Sequence, residues 1–365
     1  MLAAAEGDHS MTRAILAALI ALFTLAGGNA QAQLYKGKTI TMIVNYPAGG
    51  PTDIEARIVA QHLPQHIPGQ PTIVVKNVGG GSGLLGSNEL GDAATDGMTI
   101  GFFTLDVMAE LTENPSVRTH FSDFALIAGV ESPLVIYMRK DTPPGVNTPA
   151  DLVKAHDFKV LTLNEQNINS VNLQLSLDLL GIKYQPVPAF RGLKEVETAI
   201  LQNTGQMANT SLSGWLGSAQ PSMKDIVIPI WQLAPRGKNG DHPRSRSLPD
   251  MLTFEEFYAS VMPGKPLADD FRYQVLRAAG DPQLAMYRVV VLPPKSPDNV
   301  VTAMRAAFDD LWKDESFMSD YSRVLATRPI MVSGAEGQSI LAALGQVPRK
   351  VKDFLVDYTN HVTDK

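Results

Sequence analysis

Apolar positions along the chain fall into short runs that alternate with segments of helical spacing. Thr39-Ile40-Thr41-Met42-Ile43-Val44-Asn45 joins β-branched and apolar residues up to a proline and glycine break, the pattern of a strand buried on both faces. A loop, Tyr46-Pro47-Ala48-Gly49-Gly50-Pro51-Thr52, then leads into 53–60, where apolar positions 54, 58 and 59 recur at helical spacing. The unit repeats at once. Residues 71–77 read as a strand, 78–83 as a glycine-rich loop and 84–94 as a helix; after the Asp96-Gly97 turn, 98–103 read as another strand. Strands alternating with helices predict a parallel sheet of α/β type.

Two later segments, 134–143 and 288–297, look like each other: each is a strand, then a proline turn, then a Thr-Pro or Ser-Pro helix entry, as at Thr148-Pro149 and Ser296-Pro297. One such segment per domain accounts for the pair. Between them come a strand at 159–163, a helix over 170–180, a short stretch at 185–188, a helix over 193–202 and a strand at 226–232. That is a second α/β unit inserted in the first, which divides the chain into 33–138 plus 234–365 and 139–233. The polar stretch 236–250, with Arg236, Lys238, Arg244 and Arg246, reads as a solvated surface loop or a docking patch. A C-terminal helix with Val347, Val351, Phe354, Leu355 and Tyr358 on one face is expected to pack onto the first domain.

Composition narrows the function. With Lys+Arg 31 against Asp+Glu 37, the formal charge of −6 gives no sequence-wide footprint for nucleic acid. The absence of cysteine removes thiolate zinc sites, iron–sulfur clusters and thiol nucleophiles together. After Arg13, an apolar run over 14–26 meets Gly27, Gly28 and then Ala30-Gln31-Ala32. A charge, an apolar stretch of ~7–15 residues and a small-x-small site make a secretory signal over 1–32, whereas a membrane span needs ~20 apolar residues. Met11 makes a more ordinary signal start than Met1, whose first ten residues carry Glu6 and Asp8. The mature protein is expected outside the cytoplasm.

The two glycine loops carry the chemistry. A loop leaving a parallel strand for a helix points backbone N–H groups at the sheet's carboxyl edge, where the helix dipole favours negative charge. Glycine allows close approach and positive φ there. The loops at 46–53 and 78–84 belong to successive units and should lie side by side as a nest for an anion. Three or four charge-assisted hydrogen bonds at roughly 1.5–3 kcal/mol each match the ~8 kcal/mol of a micromolar complex before ordering costs. A carboxylate can thus be held without a cation, and neither loop contains one after Lys76. Tight turns alone are the blander account of the glycines.

Other motifs point elsewhere. Gly81-Ser82-Gly83-Leu84-Leu85-Gly86 fits G-x-G-x-x-G, with Asp106 twenty residues beyond Gly86 at the end of an apolar strand, and so imitates a dinucleotide fingerprint. It sits in the second unit rather than the first, and would leave the first loop unexplained. His62 and His66 are four apart, but Pro64 between them breaks the helix that metal spacing needs. No G-x-S-x-G elbow and no phosphate loop occur, so no catalytic residue, metal or cofactor is expected.

Val44-Asn45-Tyr46-Pro47-Ala48-Gly49-Gly50-Pro51-Thr52-Asp53-Ile54-Glu55-Ala56-Arg57 resembles the opening motif of the Bug family, the substrate-binding proteins of tripartite tricarboxylate transporters. Asn77-Val78-Gly79-Gly80-Gly81-Ser82-Gly83-Leu84-Leu85-Gly86 resembles that family's second signature, and Asp96-Gly97-Met98-Thr99 its Asp-Gly-Tyr-Thr turn. Looser matches follow at Pro188-Ala189-Phe190-Arg191-Gly192, Gly205-Gln206-Met207 and Pro294-Lys295-Ser296-Pro297. The resemblance implies a type II periplasmic-binding-protein fold: two α/β domains on a two-strand hinge, crossing near Met138 and Leu233, with a ligand cleft between them. It also implies a monomer that hands a small organic acid to integral membrane subunits.

Carried over residue by residue, the resemblance makes Tyr46, Pro47, Ala48, Gly50, Thr52 and Asp53 first-loop lining, and Gly80, Ser82 and Gly83 second-loop lining. Asp53 is expected to cap its helix rather than touch an acidic ligand, because like charges repel. The second domain departs from the family. Where Ser-x-Gly-x-Gly-Ser-x-x-His is usual, this chain reads Asn164-Glu165-Gln166-Asn167-Ile168-Asn169-Ser170-Val171-Asn172. Asn164, Glu165 and Ser170 are therefore candidates for the ligand's far end, and Phe190 or Trp215 for stacking on an aromatic acid. An exported dinucleotide-dependent oxidoreductase and a solute sensor on the same fold remain as rivals.

Overall fold

The computed structural model of the protein describes residues 35–188 and 190–361. The expected signal segment lies outside the described residues, and no helix among them is long and apolar enough to cross a membrane.

The strands form two sheets. β1 (Thr39–Val44) pairs in parallel with β2 (Thr72–Asn77) and β3 (Thr99–Thr104), as the repeated strand–loop–helix unit dictates. β1 is flanked on both sides and is mostly buried, a run of β-branched and apolar residues, whereas β2, at the sheet edge, alternates exposed and half-buried positions. The parallel expectation fails beyond β3. β10 (Arg288–Leu292) enters antiparallel to β3, and β4 (Ala125–Glu131) and β11 (Ile330–Ser333) follow antiparallel, giving the order β11-β4-β10-β3-β1-β2. β4 therefore keeps the direction of β1–β3, and the reversed strands are β10 and β11: after β4 the chain leaves through Ser132-Pro133 for β5 (Leu134–Arg139) of the other sheet, and β10, returning later, slots antiparallel between β3 and β4.

The second sheet, ordered β7-β6-β8-β5-β9, adds β6 (Lys159–Thr162), β7 (Gln185–Pro188), β8 (Met207–Ser211) and β9 (Val227–Leu233). The two look-alike segments thus supply one antiparallel strand to each sheet, β10 to the first and β5 to the second. The chain changes sheet at Ser132-Pro133, earlier than the expected crossing near Met138, because all of Leu134–Arg139 pairs with β8 and β9. It leaves the second sheet after Leu233.

The C-terminal helix Arg349–His361 does not simply cover the first half. Phe354 packs edge-on against Phe271 at 5.7 Å, and the Tyr358 hydroxyl donates to Asp178 at 2.5 Å. Asp178 belongs to the helix Ile168–Leu180, between β6 and β7. A single apolar cluster accordingly runs from Ile43 and Phe103 through Leu134 and Ile136 to Val171 and Leu355.

Candidate functional site

The site starts where β1 and β3 end. Asn45 is buried, and its side chain both accepts from the Thr104 amide and donates to the Thr104 carbonyl, each at 3.0 Å. That clamp fixes the chain just before the first loop. Gly49 takes φ +81, and the helix Pro51–His62 begins at Gly50 without a side-chain cap. Pro51 has no N–H, so the amides of Thr52 and Asp53 are the helix's first free donors. Asp53 accepts from Gly49 N at 2.8 Å and pairs with Arg57 at 2.9 Å. Burial opposes its ionisation, yet Arg57 and the Gly49 amide hold the carboxyl below its usual range. It orders the loop and lines neither of the two chambers that open between the sheets.

The second loop lies against the first. A Cβ on Gly79 would come within 2.9 Å of the Pro47 ring, and Asn77 Nδ2 donates to the Tyr46 carbonyl at 3.0 Å. Positive φ runs through Gly80, Gly81, Ser82 and Gly83. Part of the expected nest is spent internally, because the amides of Gly83 and Leu85 both turn to the Gly80 carbonyl. The dinucleotide imitation also dissolves: Asp106 is buried and accepts from Asn167 Nδ2 at 2.7 Å and Ile168 N at 3.4 Å, so it has no reach toward a ribose. Burial pushes this carboxyl up to about 7, against the pull of the Met108 and Ile168 amides.

Two adjoining chambers open between the sheets, and Tyr46, Pro47 and Leu163 wall both. The smaller, about 140 Å³, takes Ala48, Gly50 and Thr52 from the first loop, and Thr104, Asn169 and Tyr287 from other elements. Its far wall is the start of a second helix, Leu193–Leu201, again glycine-capped, at Gly192, with no side-chain acceptor. Two helix N-termini from opposite sheets therefore converge on one space. The larger chamber, about 330 Å³, is lined by Gly80, Ser82 and Gly83 with Asn164, Phe190 and Arg191. Asn164 Nδ2 donates across it to Ser82 Oγ at 2.8 Å.

Not every candidate reaches these spaces. Glu165 is half-buried and lines neither chamber, while Ser170 is buried within its helix. Trp215 packs against Tyr137 at 5.4 Å inside the second half, so it offers no face to a ligand. The amide-rich stretch is mostly spent inward: Asn167 donates to Tyr46 Oη and Asp106, Asn169 to Tyr287 Oη, and Asn172 to Gln283. His62 and His66 pair with Asp320 and Asp314, and no metal-holding cluster occurs among the described residues.

Sequence reasoning missed Thr104, Tyr287, Asn169, Arg191 and Lys194. Thr104 was within reach, since it ends β3 beside the end of β1 at the same carboxyl edge. Tyr287 precedes an antiparallel strand and carries no such signal. Arg191 and Lys194 put cations at the chamber rims that the cation-free reading of the loops did not include.

No family model matches the chain. A protein of Agrobacterium vitis, described as a UPF0065 protein in the TAR-I ttuE-ttuC' intergenic region, is 32% identical over 182 residues, 47% of this chain and 51% of that protein. BugT of Bordetella pertussis is 39% identical over 94 residues, 25% of this chain and 28% of its own. Part of the chain is thus similar in sequence to BugT and to UPF0065 proteins. The matched region spans about half the length of the first curated relative and a smaller part of the second. Its fold is that of periplasmic binding proteins: it superposes on BugD with a TM-score of 0.65 at 18% identity, covering 89% of this chain and 99% of BugD. MatC of Rhodopseudomonas palustris, solved with bound malate, gives 0.60 at 20% identity over 88% of this chain and 99% of MatC.

Proposed function

We propose that the chain is a periplasmic solute-binding protein that captures a small organic acid and delivers it to the membrane subunits of a tripartite tricarboxylate-type transporter. One observation carries the reading. The smaller chamber is closed by two uncapped helix N-termini, at Gly50 and Gly192, which come from elements of different sheets. Each contributes unsatisfied amides and the positive end of a helix dipole, so an anion is favoured only when both walls are present. Binding and cleft closure are then one event, with the two halves moving about the sheet crossings at Ser132-Pro133 and after Leu233. The ligands named for two proteins of the same fold, malate for MatC and adipate for a second R. palustris protein with a TM-score of 0.66, are both organic acids. The adjoining larger chamber has room for the rest of such a molecule, with Phe190 and Arg191 beside it. No turnover is required of this arrangement.

The test is a thermal-shift screen of the mature protein against small mono-, di- and tricarboxylates. Ligand at ~100 times its dissociation constant stabilises by about 2.7 kcal/mol. A panel without any shift sinks the reading.

A further inference from the structure

Behind the smaller chamber lies a buried polar cluster that the loop argument does not use. Arg288, 2% exposed, donates through Nε to Glu55 at 2.9 Å and through a terminal nitrogen to Thr104 Oγ1 at 2.9 Å. Glu55 is held in place by Ser213 and Tyr321, each at 2.7 Å. Thr104 Oγ1 in turn lies 2.8 Å from Thr52 Oγ1, and both threonines line the chamber.

The hydrogens in this chain can be counted. Two hydroxyls share one mutual hydrogen bond, so one of their two hydrogens is left over whichever of them donates. It cannot be spent backwards, because a guanidinium has no acceptor. Nor does any described residue in front accept it. Tyr287 behaves alike: its hydroxyl accepts from Asn169 Nδ2 at 2.8 Å, Asn169 is oriented by Gln283 Nε2 on its Oδ1 at 2.9 Å, and no acceptor for the tyrosine hydrogen occurs among the described residues. The carboxylate of Glu195, the one acidic side chain on this wall, takes the Arg191 amide at 2.9 Å.

We infer that Arg288 is a positioning residue for ligand selection: by standing behind Thr104 as a group that can only donate, it makes the Thr104–Thr52 pair a net hydrogen donor, which with Tyr287 fits the chamber to an ionised carboxylate. This rests on the organic-acid reading and names side chains that grip the acid beside the loop amides. Arg288 does not touch the ligand.

The experiment is calorimetric titration with malate, succinate, adipate, citrate and benzoate, the tightest binder serving as probe. Thr104→Val is expected to bind the probe roughly tenfold or more weakly, and Thr104→Ser to stay within about threefold of the parent. Arg288→Lys keeps a charge for Glu55 but loses the fork that reaches Thr104. It should weaken binding by a similar factor alone and by nothing further in the Thr104→Val background. A Thr104→Val protein that binds like the parent overturns the inference, as do two losses that multiply. If Arg288→Lys melts before it can be titrated, the valine and serine variants decide: loss with valine and retention with serine support the inference, and equal behaviour ends it. If the parent binds no acid in the panel, the failure falls on the organic-acid reading and not on the role of Arg288.

Discussion

The glycine turns of the first half and the asparagine-rich stretch of the second face each other across the cleft, and they work in opposite ways. In the turns the backbone is the functional part, and side chains are kept away: Gly79 lies against Pro47 and Gly83 against Asn45, where a Cβ has no room. In the stretch 164–172 the side chains do the work, but mainly as structural ties. Asn167 uses both amide hydrogens, one on Tyr46 and one on Asp106, while its carbonyl caps the helix Ile168–Leu180. Only Asn164 and Asn169 of the stretch border a chamber. A turn's geometry is thus local, whereas an amide's role depends on which distant group meets it.

The sharpest way to break this contrast is Gly83→Ala. The new methyl would lie 2.4 Å from Asn45 Nδ2 at φ +95, so the clamp between β1 and β3 has to open. We expect a loss of about 3 kcal/mol or more in urea unfolding; a loss under about 1 kcal/mol would show that the loop tolerates side chains. Next comes Asn167→Ala, which strips a donor from buried Asp106 and should cost about 2–3 kcal/mol. Asn164→Ala, at the half-exposed edge of the larger chamber, should cost less than about 1 kcal/mol. Equal costs for the two would erase the distinction between tie and lining.

Asp106→Asn sharpens it through pH. The native carboxyl keeps its proton up to about 7, whereas an unfolded aspartate releases it near 4. Between these values the native state binds more protons, so this group's contribution to stability falls as pH rises, by at most about 1.4 kcal/mol per pH unit. The variant lacks that slope. Its melting temperature relative to the parent should therefore be higher at pH 8 than at pH 5, and an unchanged difference would mean that the carboxyl is not buried. The smallest effect belongs to Glu165→Ala, expected within about 0.5 kcal/mol in stability and without change in acid affinity by calorimetry, since Glu165 borders neither chamber.

Much of the fold was legible because its signals are short-range. Runs of β-branched and apolar residues marked β1 and β3, and closely spaced glycines marked the two turns. The reversal of β10 and β11 was not, because their direction depends on how the chain re-enters the first sheet after it has left through Ser132-Pro133 for the second. Of the candidate residues read from the loops, Tyr46, Gly50, Thr52, Gly80 and Asn164 line the chambers. Glu165 and Ser170 line neither chamber, and polarity alone does not reveal whether a side chain faces a cavity or a neighbouring helix.

By itself the sequence determined where the backbone must turn tightly, since only glycine accepts those dihedral angles and close contacts, and it made a cation-free anion nest the natural expectation. Tertiary structure alone decided what stands around that nest. Tyr287 and Arg288 lie far from the loops along the chain and meet them only because β10 slots beside β3. Hydrogen-bond partnership requires approach to about 3 Å, and such proximity between remote residues is a property of packing, not of local pattern.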